Sequence, residues 1–376
     1  MKTALPLLFL LAPTAAALPH DPHHTHHGHH EHHGDHEHPV AHTHAQRPGG
    51  ARSIESLVTD AKELIEAATA NPSFVRHEFQ HAFDDPRRRT IDFFPLVARK
   101  DQRGLRLGLM GMEQRRATHR LLRGVLSEEG YLRAQAIRGL ESTLRESVVN
   151  SSYTRVPDAY TVQFFGEPRL DAPWAFKFEG HHLSVNATLV DGRFRGTPLF
   201  LGVNPAEVHT GPDAGLRVLA PQEDLARALL HRLTDEQRAR AVVPAYDPKL
   251  AIPLGALVDP DRETGLSANE MTEAQQVLLV QLITSYARHL RPSFAEEELA
   301  RLEAAGIGSL KFLWRGGTRP GEPFSYVVHG PTVVLQMDAV VDVPGQPANH
   351  LHALWRDPER DFGDDLLARH HREDHR

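Results

Sequence analysis

The chain has 376 residues, 27 of them histidine, with no cysteine and a formal charge of −7 when histidine is neutral. The missing thiols exclude disulfides, thiolate zinc sites, blue-copper sites and cysteine nucleophiles, and the acidic balance argues against a nucleic-acid surface. The length allows one large domain or two ordinary ones, held together by a core rather than by cross-links.

Residues 1–17 read as a signal peptide. Lys2 supplies the positive charge, Leu5 to Ala12 an apolar run and Ala15-Ala16-Ala17 a cleavage site. The run is shorter than the roughly 20 residues a bilayer span needs. An exported protein, periplasmic or extracellular, with no membrane span is expected. Residues 18–52 form a tail in which 13 of the 27 histidines fall between His20 and His44. With almost no large apolar side chain it cannot offset its ordering entropy, and it is expected to be disordered and to capture metal.

Residues 53–150 read as a helical subdomain. Ile54, Leu57, Val58, Ala61, Leu64 and Ile65 recur at helical spacing, with Asp60 and Glu63 on the other side. A second helix is expected over 73–82, broken at Asp84-Asp85-Pro86, followed by a short extended piece from Ile91 to Pro95. Two further helices are expected at 105–125 and 127–148, the last capped by Ser127 with Glu128 and Glu129 in its first turn.

Residues 151–376 change texture. Strand-like runs cover 160–165, 174–186, 192–201 and 326–338, and helices return at 221–233, 234–242, 270–290 and 294–304. The mixed order predicts an α+β fold, the helical subdomain packing on a mixed sheet-and-helix subdomain in one cooperative unit.

Three histidine patterns bear on chemistry. In the run Trp174 to Asn186 the apolar parity switches near Gly180, where a bulge would sit. Adjacent His181 and His182 point oppositely in a regular strand, so either one, as ligand or as a hydrogen-bonded core residue, fits the pattern. His350 and His352 are two apart and face the same way in a strand, which is the simplest way for a sheet to offer two imidazoles to one metal. His329 is a further candidate ligand. Glu179 and Asp357 are candidate bases or ligand-orienting partners. The third pattern, His77-Glu78-Phe-Gln-His81, matches HExxH, which on a helix chelates zinc with the glutamate as base. It lacks the third-ligand extension, although Glu113 is within reach by sequence.

The segments Gly-Glu-Pro168, Trp174 through Gly-His-His-Leu-Ser-Val-Asn186, Thr-Pro-Leu-Phe-Leu-Gly-Val-Asn-Pro205, Gly215 to Leu219, Val-His-Gly-Pro-Thr332 and Asn349-His-Leu-His-Ala-Leu-Trp-Arg-Asp-Pro358 with Asp361-Phe-Gly363 resemble a bacterial and fungal family, domain of unknown function 3500, over roughly residues 53–376. The resemblance implies no activity. It places both histidine clusters in the family's signature segments and leaves the HExxH and the histidine tail outside them.

The resulting expectation is an exported metal protein, a hydrolytic or oxidative enzyme with copper or zinc favoured over iron and no organic cofactor. Its metal would be held by His182 or His181 with His350, His352 and His329, and its substrate would be a small molecule or peptide. The alternatives are a metal-scavenging protein without turnover, an HExxH peptidase, and a non-metal binder in which Trp174 and Trp355 stack on a ligand.

Overall fold

The computed structural model describes residues 53–74, 78–98, 103–147, 155–246 and 265–367. The signal segment, the histidine tail and His77 lie outside the described residues. Helix α1, Ile54–Thr69, starts at Ser53, whose hydroxyl accepts from the Ser56 amide. It packs on α2, Met112–Val125. Asp60 departs from the expected outward position: it is buried and accepts from Arg120 Nε of α2 at 2.6 Å. Helix α3, Glu128–Ser147, carries the expected cap, the Ser127 hydroxyl accepting from the Gly130 amide at 2.9 Å.

The strands are β1 (Gln80–His81), β2 (Leu105–Arg106), β3 (Thr161–Phe165), β4 (Trp174–Gly180), β5 (Leu183–Val190), β6 (Arg193–Arg195), β7 (Leu199–Val203), β8 (Val242–Val243), β9 (Leu266–Ser267), β10 (Lys311–Gly316), β11 (Phe324–His329), β12 (Val334–Val340) and β13 (His350–Arg356). They form one sheet in the order β1-β3-β4-β5-β7-β13-β12-β11-β10-β8, with β2, β6 and β9 paired beside β3, β5 and β10. Two short pairings, β1 with β3 and β8 with β10, are parallel; the rest are antiparallel. Helices α4 (Ala220–Arg232), α5 (Asp235–Ala241), α6 (Glu273–Ala287) and α7 (Pro292–Ala305) complete an α+β fold. Residues 51–376 group as one compact unit, and no described helix is long and apolar enough to cross a membrane.

The register explains the layers. One cross-strand row reads Leu105, Val162, Phe178, Val185, Leu199, Trp355, Leu335, Val328, Phe312, Leu266, and all ten are buried. Side chains alternate between faces, so this row and its alternates give one apolar face. That face meets the helices: Tyr286 of α6 bonds Tyr326 at 2.7 Å, and Phe294 of α7 packs on Trp355.

The opposite face is polar, with Thr161, Glu179, Ser184, Gln336, Asp338 and His352 among its residues. A strap, residues 86–98, runs along it. Lys177 Nζ donates to Arg87 O at 3.0 Å, the Asp92 amide donates to Glu179 Oε1 at 3.1 Å, and Arg88 donates to Phe362 O at 2.7 Å. Ile91 and Phe93 of the strap join Phe200, Leu354 and Phe362 in a small apolar cluster separate from the main core.

Three local expectations are corrected. The segment expected as helix 73–82 is a 3-10 turn, Pro72–Phe74, and then β1, because pairing with β3 satisfies its backbone instead. The helix expected from residue 105 begins at Met112, since Leu105 and Arg106 pair with β3. The run 174–186 is a hairpin rather than one bulged strand: Gly180 pairs with Leu183, and His181-His182 form the turn.

Candidate metal centre

The hairpin turn is clamped from three sides. A Cβ on Gly180 would lie 2.4 Å from the Tyr160 ring, and the Tyr160 hydroxyl donates to His181 O at 2.6 Å. The His182 amide donates to Phe93 O of the strap at 2.9 Å, and His182 O accepts from the Gly202 amide at 2.7 Å. His182 has φ 64°, a left-handed conformation that costs a non-glycine residue about 1 kcal/mol or more. Surrounding bonds therefore hold a strained backbone at this turn.

His350 and His352 project from the same face of β13, as their spacing predicts. Each of the three histidines offers a ring nitrogen, and these nitrogens all lie within 4.8 Å of one another. His182 Nε2 and His350 Nε2 are 2.8 Å apart. Three imidazoles around a tetrahedral ion, each at about 2.0–2.1 Å, would have nitrogens about 3.3 Å apart, between the 2.8 Å of the His182–His350 pair and the 4.8 Å bound on the cluster.

The surroundings set the state of each ring. Asp342 Oδ1 accepts from His350 Nδ1 at 2.7 Å, and Asn204 Nδ2 donates to Asp342 Oδ2 at 2.7 Å. A proton on Nδ1 leaves the Nε2 lone pair of His350 directed into the cluster, the carboxylate–histidine arrangement common behind bound metals. The His352 ring lies against Phe93 and Phe200, with centroids at 5.0 and 5.4 Å. Burial, then the neighbouring histidines, push His182 and His352 well below the usual histidine range. Both are neutral at pH 7, the form that ligates. Burial works to raise Asp342, but the bonds from His350 and Asn204 outweigh it and hold the carboxyl low.

His181 stacks on His182 with centroids 3.7 Å apart, but its Nδ1 is bonded to Glu141 of α3 and Arg155 Nη1 lies 3.2 Å from its Nε2. His182 is thus the member of the pair that joins the cluster. The turn lifts the opposite-facing restriction of a strand.

A family model described as protein of unknown function, DUF3500, matches residues 50–364. The chain belongs to this family. No curated protein and no solved structure matches it.

Other expected site residues lie elsewhere in the DUF3500 domain. His329 pairs with Val334, which pairs with Arg356 at the end of β13 opposite His350. Six residues of strand separate the two ends by about 20 Å, so His329 is no ligand of this cluster. Asp357 follows Arg356 at that far end. There it accepts from the Glu359 and Arg360 amides and from Arg301, which makes it a turn cap and ion-pair partner rather than a base for the cluster. Glu179 accepts from Ser184 Oγ at 2.7 Å and the Asp92 amide at 3.1 Å, with Lys177 Nζ 3.2 Å away. Its carboxylate ties the strap to the sheet.

The described part of the HExxH pattern, residues 78–81, is not helical, and His77 lies outside the described residues. Glu78 precedes a strand, not a helix, and its carboxylate pairs with Arg103 at 2.5 Å. His81 lies in β1 with Nε2 3.0 Å from Gln163 Oε1. The i, i+4 geometry that would bring His81 onto one helical face does not exist here. Glu113 pairs with Arg116 in α2. Trp174 and Trp355 are buried core residues and offer no stacking surface.

Asp342, Asn204, Gly202 and Phe93 carry no motif that marks them. The available signal was indirect: Asp342 precedes His350 by eight residues, within reach of the β12–β13 hairpin, and Asn204 and Gly202 fall in a segment carrying the family resemblance.

Proposed function

We propose that this is an exported metal-dependent enzyme, hydrolytic or oxidative, whose centre is one zinc or copper ion held by His182, His350 and His352. The observation that carries the reading is the convergence of three ring nitrogens within 4.8 Å from two segments 168 residues apart, with Asp342 fixing the tautomer of one of them. Three protein ligands leave a position for water or substrate, the pattern of catalytic rather than structural zinc. Such an ion would act as a Lewis acid or, for copper, as a redox centre. The features of residues 1–17 support export.

A second reading, metal buffering without turnover, is favoured by the 13 histidines between His20 and His44. Elemental analysis separates the two. The protein is purified without an affinity tag, as the full chain and as a chain beginning at Ser53. The enzyme reading expects one tightly held ion in the shorter chain, lost in His350→Ala/His352→Ala. Absence of a stoichiometric ion after reconstitution with zinc or copper would leave metal binding to the tail and end the proposal.

A further inference from the structure

The strap over the polar face reaches two of the three cluster histidines through one residue. Phe93 O accepts from the His182 amide at 2.9 Å, and the Phe93 ring centroid is 5.0 Å from that of His352. The same ring stacks on Phe200, with centroids 3.9 Å apart and planes 9° from parallel. His350, His352 and Leu354 alternate along β13 and so share a face. Leu354 and its cross-strand partner Phe200 carry that face on under the strap. Phe93 thus sits at the boundary between the apolar patch that seats the strap and the imidazoles that would hold the ion.

The strap is built as a segment that opens by itself. Residues 86–98 contribute no strand to the sheet; they consist of the 3-10 turns Pro86–Arg89 and Leu96–Ala98 and an irregular link between them. Their apolar anchor, Ile91 and Phe93, belongs to the small cluster rather than to the main core. Point attachments do the rest, Lys177 donating to Arg87 O and Thr90 O and the Asp92 amide donating to Glu179. The outer side meets water: Phe94, stacked on Phe93, is 44% exposed. Segments with a small apolar anchor and no strand ladder belong to the low end of local stability.

From the double contact of Phe93 and the separate seat of the strap, we infer that the strap is a clamp on the metal centre: docked, it holds His182 and His352 in the ligating arrangement, and a bound ion in turn holds it closed. An open strap takes away the acceptor that supports the left-handed turn at His182 and the wall against the His352 ring. An ion that binds the closed form more tightly shifts the strap toward closure by the same factor, because linkage is reciprocal. Phe93 is a positioning residue, acting through the two histidines. The inference rests on the proposed metal centre for the ion; the hold on His182 does not require it.

Hydrogen exchange read peptide by peptide on the full chain tests the clamp, with free zinc set by a chelator buffer so that ions taken by the histidine tail do not alter it. Saturating zinc should slow exchange in residues 90–94 and in the peptide carrying His182 by about tenfold or more. Phe93→Ala and Ile91→Ala should each speed the His182 peptide by about tenfold in the metal-free protein and raise the free zinc needed for half protection by a similar factor. Phe93→Leu, which keeps an apolar anchor, should restore much of both. Val58→Ala, a truncation in α1, lowers stability away from the strap and should move neither; if Phe93→Ala does not fold, Ile91→Ala carries the comparison. Zinc binding that leaves strap exchange unchanged, unchanged His182 exchange in the strap variants, or an equal effect from Val58→Ala would overturn the clamp. Absence of bound zinc would end the metal centre instead, and the metal-free exchange of the His182 peptide then decides the clamp alone.

Discussion

Gly202 of β7 sits directly opposite His352 of β13, and its missing Cβ is what allows the His182 ring to reach His352. A Cβ at Gly202 would stand 3.0 Å from His182 Cδ2 and 3.1 Å from His352 Cδ2. Both are tighter than nine in ten real contacts of this kind, so one ring or the other must give way. The residue is a spacer for two imidazoles from different strands.

Gly202→Ala should therefore separate the ligands while leaving the sheet paired. Metal affinity, measured by competition with a chromogenic chelator, is expected to fall at least tenfold, on the scale seen when ligand orientation is disturbed. The circular dichroism spectrum should not change. Wild-type affinity in this variant would show that the His182 and His352 rings do not share an ion.

Asp342→Asn keeps the size of the side chain but removes the carboxylate that accepts from His350 Nδ1. A drop of about 10- to 100-fold in metal affinity is expected, with His350→Ala more severe. Nitrogen-15 chemical shifts of His350 should show the Nδ1-protonated tautomer weakening. An unchanged tautomer population would remove Asp342 from the centre.

His182→Asn tests whether the strained turn serves binding. Asparagine tolerates positive φ better than most residues, so the metal-free protein should melt no lower than wild type, while stoichiometric metal is lost. A destabilisation of about 2 kcal/mol or more, as for an ordinary core truncation, would mark His182 as a packing residue.

His289 predicts a distinct acid sensitivity. It is 1% exposed, and among the described residues neither ring nitrogen has a hydrogen-bond partner. Burial, with Arg133 nearby, pushes it well below the usual histidine range. The unfolded chain thus takes up a proton near pH 6.5 that the folded chain refuses. Stability is complete above about pH 6.5 and falls as the pH drops, with a slope near 1.4 kcal/mol per pH unit from this one group. His289→Leu should remove about one proton from the slope of urea stability against pH and cost little at pH 7, because no bond to the ring is lost. An identical slope in this variant would assign the acid sensitivity elsewhere.

Much of this protein was open to a reader of its sequence. Helical spacing located α1, Ser127 marked the start of α3, and the two-residue step from His350 to His352 put both rings on one face, because caps and alternation are local properties of the backbone. Residues 78–81 show where local reading ends: a helix-compatible pattern became a strand once β3 offered it a partner. The histidine cluster itself is a tertiary object. His182 belongs to it because a hairpin turn held by Tyr160, Phe93 and Gly202 reverses the chain at His181-His182, and because β7 brings that turn beside β13. His329, on β11, and Asp357, just past β13, are excluded by register alone, since both fall at the opposite end of the sheet from His350. Residue types and spacing determined that imidazoles were available. Long-range strand pairing decided which of them meet, since no local rule fixes which strand lies next to which.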